Sequence, residues 1–161
     1  MKGGKHMEYK KLYNNWRAAS LEDADLTRQL SEMDGNEEEI KESFFKDLEF
    51  GTGGLRGVIG PGTNRMNIYT VGKATQGMAN YFKNKYPNCS AAIGYDSRNK
   101  SRDFAMYAAR VLAGNGIKVH LYKELAPTPM VSFAIRHLGC KLGIMITASH
   151  NPAKYNGYKA Y

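Results

Sequence analysis

Carboxylates almost vanish from the last two-thirds of this 161-residue chain. Between residues 51 and 161 only Asp96, Asp103 and Glu124 are acidic, against 15 Lys+Arg. None of the three has ligand spacing with another, so this stretch cannot by itself build the oxygen cage a hard cation needs. Cysteine is nearly absent. Cys89 and Cys140 lack any zinc or disulfide spacing and fit free thiols in a reducing cytosol, so the expected location is cytoplasmic. No run of about 18 apolar residues exists, which excludes an expected membrane-spanning helix. No signal-peptide pattern opens the chain. Internal repeats and low-complexity tracts are missing as well.

What is present is enough for one domain with a core, since 42% of residues are hydrophobic. The net charge of +8 is unevenly spread: residues 1–50 balance at −4 and residues 51–161 at +12. A basic domain invites a nucleic-acid reading. Here the cations are scattered, and no nucleic-acid motif accompanies them. An anionic small molecule accounts for the same excess.

The chain divides into three parts. Met1 to His6 (MKGGKH) has the look of a cloning scar. Residues 7–47 form a helical N-terminal arm. Tyr9, Leu12, Tyr13 and Trp16 share one helical face, Leu26, Leu30 and Met33 mark a second helix, and Asn36 caps a third that opens on three glutamates. Most of the arm's charge is expected to be a solvated face. Residues 48–161 alternate strand and helix signals. A glycine-rich hairpin leads into a helix over 68–86, with Val71, Met78, Tyr81 and Phe82 as its buried side. A strand at 91–95 precedes a helix capped by Ser101, and a strand at 117–122 precedes a helix opened by Pro127-Thr128-Pro129. The last core strand is 142–146. This pattern predicts an α/β fold, a three-layer α/β/α sandwich on a four-stranded sheet whose last three strands are parallel. His120, alone in a strand, reads as structural.

Three polar segments fall at strand ends, where open α/β sheets place ligands. The most informative is Thr147-Ala148-Ser149-His150-Asn151-Pro152, just past the apolar Ile144-Met145-Ile146. With Lys154 and Lys159 nearby, it gathers a hydroxyl, an imidazole, amides and ammonium groups, and no carboxylate. Such a loop suits a phosphoryl group, on a ligand or on Ser149 itself. The second segment, FGTGGLRG, sets Arg56 among Gly51, Gly53, Gly54 and Gly57. Glycines let backbone N–H groups approach an anion, and arginine presents a fork of donors to phosphate. The third is Asp96-Ser97-Arg98. It either faces the same crevice, with Arg98 on the anion, or is a local turn in which Asp96 caps and Arg98 pairs with it.

TASHNP followed by YNGYK resembles the serine loop of the α-D-phosphohexomutases, the phosphoglucomutase/phosphomannomutase family. FGTGGLRG is similar to that family's first segment, and the Asp-x-Arg and Pro-Thr-Pro segments match in order. The resemblance covers residues 48–161 well and the arm loosely. It implies an antiparallel first strand, and so a mixed four-stranded sheet. It also implies that Ser149 is carried as a phosphoserine, and that Arg56, His150 and Lys159 are catalytic. It further implies that Thr147, Asn151, Gly53, Gly54 and Arg98 bind phosphate or substrate. The implied reaction interconverts sugar 1-phosphate and 6-phosphate through a bisphosphate, which also serves as activator. The implied metal is Mg²⁺, held by the phosphate on Ser149 and by carboxylates absent here. The family's metal loop, sugar-binding and distal phosphate-binding segments are missing, and the chain stops right after YNGYKAY, where a strand should continue. The expectation is therefore the first domain of a four-domain enzyme, inactive alone, whose partners are a phosphosugar and the remaining domains rather than nucleic acid or membrane. The long arm resembles the branch that holds phosphopentomutase-like members, so a pentose phosphate is the alternative substrate.

Two other classes compete. A serine hydrolase needs the G-x-S-x-G elbow, and Ser149 has neither glycine. A noncatalytic nucleic-acid-binding domain would rest on the basic excess alone.

Overall fold

The computed structural model describes residues 3–161, with side chains from Glu8 onward. Met1 and Lys2 of the suspected scar lie outside the described residues. Three helices come first: α1 (Gly3–Ala18), α2 (Ala24–Glu32) and α3 (Glu37–Phe44). Asn36 caps α3 as expected, its side chain accepting from Glu39 N–H. Then follow β1 (Phe50–Gly51), β2 (Gly54–Val58), α4 (Ile68–Lys85), β3 (Ser90–Tyr95), α5 (Ser101–Gly114), β4 (Lys118–Leu121), α6 (Thr128–His137), β5 (Leu142–Ile146) and β6 (Tyr155–Ala160).

The strands make one sheet in the order β1-β2-β6-β5-β3-β4. β3 pairs parallel with β4 and β5, while β6 runs antiparallel between β2 and β5. The sheet thus has six strands where the sequence pattern predicts four. β1 is only two residues long. β6 reads as a polar loop because Asn156, Gly157 and Lys159 have poor strand propensity. It forms because both of its edges are paired and Tyr158 is wholly buried.

Side chains alternate between the two faces of a strand. Ala91 and Ile93 of β3, Leu142, Ile144 and Ile146 of β5, Leu55 of β2 and Tyr158 of β6 share one core with α4 and α5. Ala92 faces the other way, onto Ala134 and Cys140 beside α6. Helices therefore cover both faces, as the three-layer expectation requires. Gly94 and Gly143 let α6 sit close, since a Cβ at either would run into Val131 or Ile135. Both cysteines are buried and unpaired. Among the described residues no helix is long and apolar enough to cross a membrane.

The arm has its own small core of Tyr9, Tyr13, Leu30, Met33, Ile40 and Phe44. It docks on the sheet domain through Trp16, edge-on to Tyr69 at 5.3 Å. Ion pairs surround that contact: Glu22 with Arg110 at 2.8 Å, Asp25 with Lys100 at 3.0 Å, Glu42 with Arg65 at 3.0 Å and Asp47 with Lys73 at 2.5 Å. The solvated-face reading describes most of the arm's acids, and these four, each more than half exposed, also pair with the basic domain. Two smaller expectations also change. Tyr81 is exposed, because α4 turns that side away from the sheet. Ser101 does not cap α5; its N-cap is Lys100, in the left-handed region at φ 61° without a side-chain capping bond.

Candidate active site

The serine loop connects β5 to β6, the two middle strands. The Thr147 N–H donates to Gly157 C=O at 2.9 Å, extending the ladder past Ile146. The chain then turns, with Asn151 N–H donating to Ala148 C=O at 3.1 Å. Ser149 and His150 occupy the corners of this turn and are exposed. Ser149 has φ 58°. For a residue with a Cβ that left-handed conformation costs about 1–2 kcal/mol. Such strain persists only where neighbours over-determine it. One neighbour is Thr147, whose Oγ1 accepts from Ser149 N–H at 3.0 Å. The result lifts the Ser149 hydroxyl to the rim of the sheet. His150 Nδ1 lies 3.3 Å from Ser149 Oγ.

Arg56 comes to this loop from β2. Its Nη1 donates to Asn151 Oδ1 at 3.4 Å, a long bond, and its Nε is buried with no partner among the described residues. Glycines make room for it. A Cβ at Gly53 would sit 2.6 Å from Arg56 Nη2, and one at Gly157, directly across the ladder, 3.1 Å from Arg56 Cγ. Lys159 is placed by the same device. A Cβ at Gly54, where φ is 95°, would lie 3.2 Å from Lys159 Cγ and 2.5 Å from Tyr158 C=O. Arg56 and Lys159 both stand on the face opposite the Tyr158 side of the sheet. Each has a glycine beside it, so two cations share one open face. Lys159 makes no hydrogen bond or ion pair with the serine loop among the described residues; it stands farther along β6, opposite Met145. Beneath them Tyr158 is buried, which pushes its phenol far above the ordinary value and keeps it neutral.

The structure gathers Ser149, His150, Thr147 and Asn151 in one loop and brings Arg56 to it through Asn151, with Gly53 beside the Arg56 guanidinium and Gly54 and Lys159 farther along the β2–β6 pair. Arg98 also reaches the loop, but from the carbonyl side. Its guanidinium donates to Ser149 C=O at 2.6 Å and Asn151 C=O at 2.7 Å, and to Pro152 and Tyr155 C=O at 3.2 Å each. It also pairs with Asp96, Nε to Oδ2 at 3.5 Å. Of the two sequence readings of Asp96-Ser97-Arg98, the local pairing is therefore present. The other Asp96 oxygen accepts from Arg98 N–H at 3.0 Å and from Ser101 Oγ at 2.7 Å.

Asn156 is the residue sequence reasoning missed. Fully buried, it donates from Nδ2 to Asn99 C=O and to Ser101 Oγ, both at 2.9 Å, and accepts from Gly157 N–H at 2.7 Å. It ties β6 to the loop after β3. Its place in YNGYK, next to a glycine in an otherwise unpromising strand, was the available signal.

Among the described residues no group of three His, Cys, Asp or Glu could hold a metal ion. Both oxygens of Asp96 already face Arg98 or Ser101. The donor set of this chain does not fit a complete Mg²⁺ site.

Comparison with known proteins agrees with this fold. The model of the phosphoglucomutase/phosphomannomutase alpha/beta/alpha domain I matches residues 47–161. A phosphoglucomutase of Staphylococcus haemolyticus is 47% identical over 121 residues, covering 75% of this chain and 22% of that protein. A human phosphopentomutase is 41% identical over 155 residues, covering 91% of this chain and 25% of its own length. The crystal structure of a Thermus thermophilus protein described as a phosphomannomutase superposes with a TM-score of 0.66 at 36% identity. The match covers 71% of this chain and 25% of that one. The chain thus spans about a quarter of the length of the relatives it matches.

Proposed function

Because the chain belongs to the phosphoglucomutase/phosphomannomutase family through its domain I, we propose that it is the phosphoserine-bearing domain of a phosphosugar mutase. That enzyme interconverts sugar 1-phosphate and 6-phosphate, an isomerase reaction run by phosphoryl transfer. The observation that carries the reading is Ser149, held on a strained corner at the sheet rim, in a loop that the partly unpartnered Arg56 reaches at Asn151.

The chemistry follows from those positions. A hydroxyl of the sugar phosphate attacks the phosphorus on Ser149. The new P–O bond forms to the sugar, the P–Oγ bond breaks, and Ser149 Oγ takes up a proton while the attacking hydroxyl loses one. The sugar bisphosphate so formed then returns its other phosphoryl group to Ser149. In-line transfer of this kind depends on charge neutralisation and alignment. The unpartnered Nε of Arg56 and the Lys159 ammonium are suited to the equatorial oxygens. His150 Nδ1, 3.3 Å from Oγ, is within reach for proton movement at the serine oxygen. Asn151 and Thr147 hold the loop, and Gly53 and Gly54 leave the space that the cations and phosphate share.

Mg²⁺ would take one oxygen of the Ser149 phosphate and its remaining ligands from carboxylates outside this chain; it supplies charge neutralisation. The sugar site would likewise lie outside, so this chain alone turns nothing over. Its partners are the phosphosugar and the rest of the enzyme, in a reducing cytosol that suits its two free thiols. A pentose 1-/5-phosphate pair is the second substrate reading, supported by the 41% identity over 155 residues to the human phosphopentomutase.

The test is Ser149→Ala in the longer enzyme, assayed with Mg²⁺ and sugar bisphosphate on glucose 1-phosphate and ribose 1-phosphate. Turnover should fall on the order of a thousandfold or more. Near-normal turnover in the variant would remove the phosphoserine from the reaction. The sugar converted faster by the wild type decides between hexose and pentose.

A further inference from the structure

Arg98 carries an inference that departs from its expected contact with phosphate. A guanidinium has five N–H groups and accepts nothing. Here the four terminal N–H groups all have acceptors: two on Nη2 meet Ser149 and Asn151 C=O, and two on Nη1 meet Pro152 and Tyr155 C=O, while Nε stands in an ion pair 3.5 Å from Asp96 Oδ2. The side chain is 15% exposed. No terminal donor is left over for a ligand.

We propose that Arg98 is a positioning residue which clamps the serine loop from its carbonyl side and touches neither phosphate nor sugar. The four carbonyls span residues 149 to 155, from the loop's left-handed corner to the first residue of β6. Gathering them onto one cation fixes the left-handed corner at Ser149, which the backbone alone would not favour. It also sets the loop's polarity. In a planar trans peptide the N–H points opposite the C=O. Drawing the Ser149 carbonyl onto Arg98 therefore turns the His150 N–H away from it. Charge-assisted bonds from an arginine fork are stronger than neutral ones and fix geometry. Lysine, with three donors on a single nitrogen, cannot span the same acceptors.

The clamp is itself anchored. Asp96 holds Nε, and its other oxygen is fixed by Arg98 N–H and Ser101 Oγ. Ser101 Oγ accepts in turn from the buried Asn156 on β6. One polar network thus connects the end of β3, the start of α5 and the strand leaving the serine loop.

The role in turnover rests on the function proposed above; the structural role does not, and the experiment separates them. In this chain, Arg98→Lys should raise amide hydrogen exchange at least tenfold across residues 149–155, with β3 and β5 still protected. Asp96→Asn, a milder change, should shift the same amides less. In the longer enzyme, Arg98→Lys should lower kcat by about a hundredfold, the scale of a small misplacement of reacting groups. KM for sugar phosphate should stay within about threefold, since uniform binding is untouched. Unchanged loop exchange in both variants overturns the clamp. A large rise in KM with kcat kept also overturns it, because Arg98 would then be binding substrate. Loss of protection in β3 and β5 with Arg98→Lys, and no loop effect with Asp96→Asn, would make the residue part of the fold rather than of the loop, again overturning it. If the wild-type enzyme proves inactive on every phosphosugar, the functional reading falls, and exchange alone decides whether the clamp stands.

Discussion

Two arginines meet at the serine loop, and they differ in how much of their hydrogen-bonding capacity is taken. Arg98, from the loop after β3, has all four terminal donors engaged by carbonyls and its Nε in an ion pair with Asp96. Arg56, from the glycine-rich hairpin, has one long bond to Asn151 and a buried Nε that meets nothing. A buried donor left unmade costs about 1–3 kcal/mol. A fold tolerates that cost where a ligand will remove it. The lesson is that charge and proximity do not separate a structural cation from a ligand-binding one. The count of unfilled donors does. Glycines reinforce the contrast, since Gly53 and Gly157 clear space around Arg56 while Arg98 lies enclosed by the loop it holds.

The comparison breaks most visibly at Arg56. Arg56→Gln in the longer enzyme should lower kcat/KM by about a hundredfold to a thousandfold, the usual result of deleting one preorganised donor to a reacting group. Its thermal midpoint should hold or rise, because an unpartnered buried donor goes with it. Kinetics near wild type, with a destabilised fold, would mean the roles of the two arginines are reversed. Asn156→Ala sharpens the other half. It removes the buried amide joining β6 to the loop after β3, and denaturant unfolding should show a loss of about 1–3 kcal/mol. No loss would mean the network behind Arg98 is ornamental.

The smallest effect lies at the edge of that network, where the arm meets it. Lys100 holds the Asp25 carboxyl below its ordinary value by a direct hydrogen bond. A lowered folded pKa contributes stability that is complete above the unfolded carboxylate pKa near 4 and is lost as pH falls through the lowered one. Melting curves of wild type and Asp25→Asn should therefore differ slightly at neutral pH and converge as pH falls through the lowered Asp25 pKa. A gap that widens on acidification would contradict the pairing.

Much of this was legible in the sequence, for definite reasons. The β5 strand announces itself because it is apolar at every position and buried on both faces. The serine loop follows because small residues and Pro152 must end that strand. The arm's helices are marked by their apolar spacing and by Asn36. What stayed hidden depends on partners far away in the chain. β6 looks like a loop until β2 and β5 flank it. Ser101 looks like a cap until Asp96 and Asn156 claim its hydroxyl. The four carbonyls around Arg98 and the cations opposite Glu22, Asp25, Glu42 and Asp47 are hidden in the same way. Most of these partners lie at long sequence separation, which periodicity cannot report.

The connection that bears Ser149 joins the two innermost strands, and both of its roots are locked in ladders on either side. Arg98 gathers the carbonyls between those roots, so the loop is held at both ends and along its underside. In the reaction proposed above the hydroxyl is therefore an anvil, and the sugar and the rest of the enzyme do the travelling.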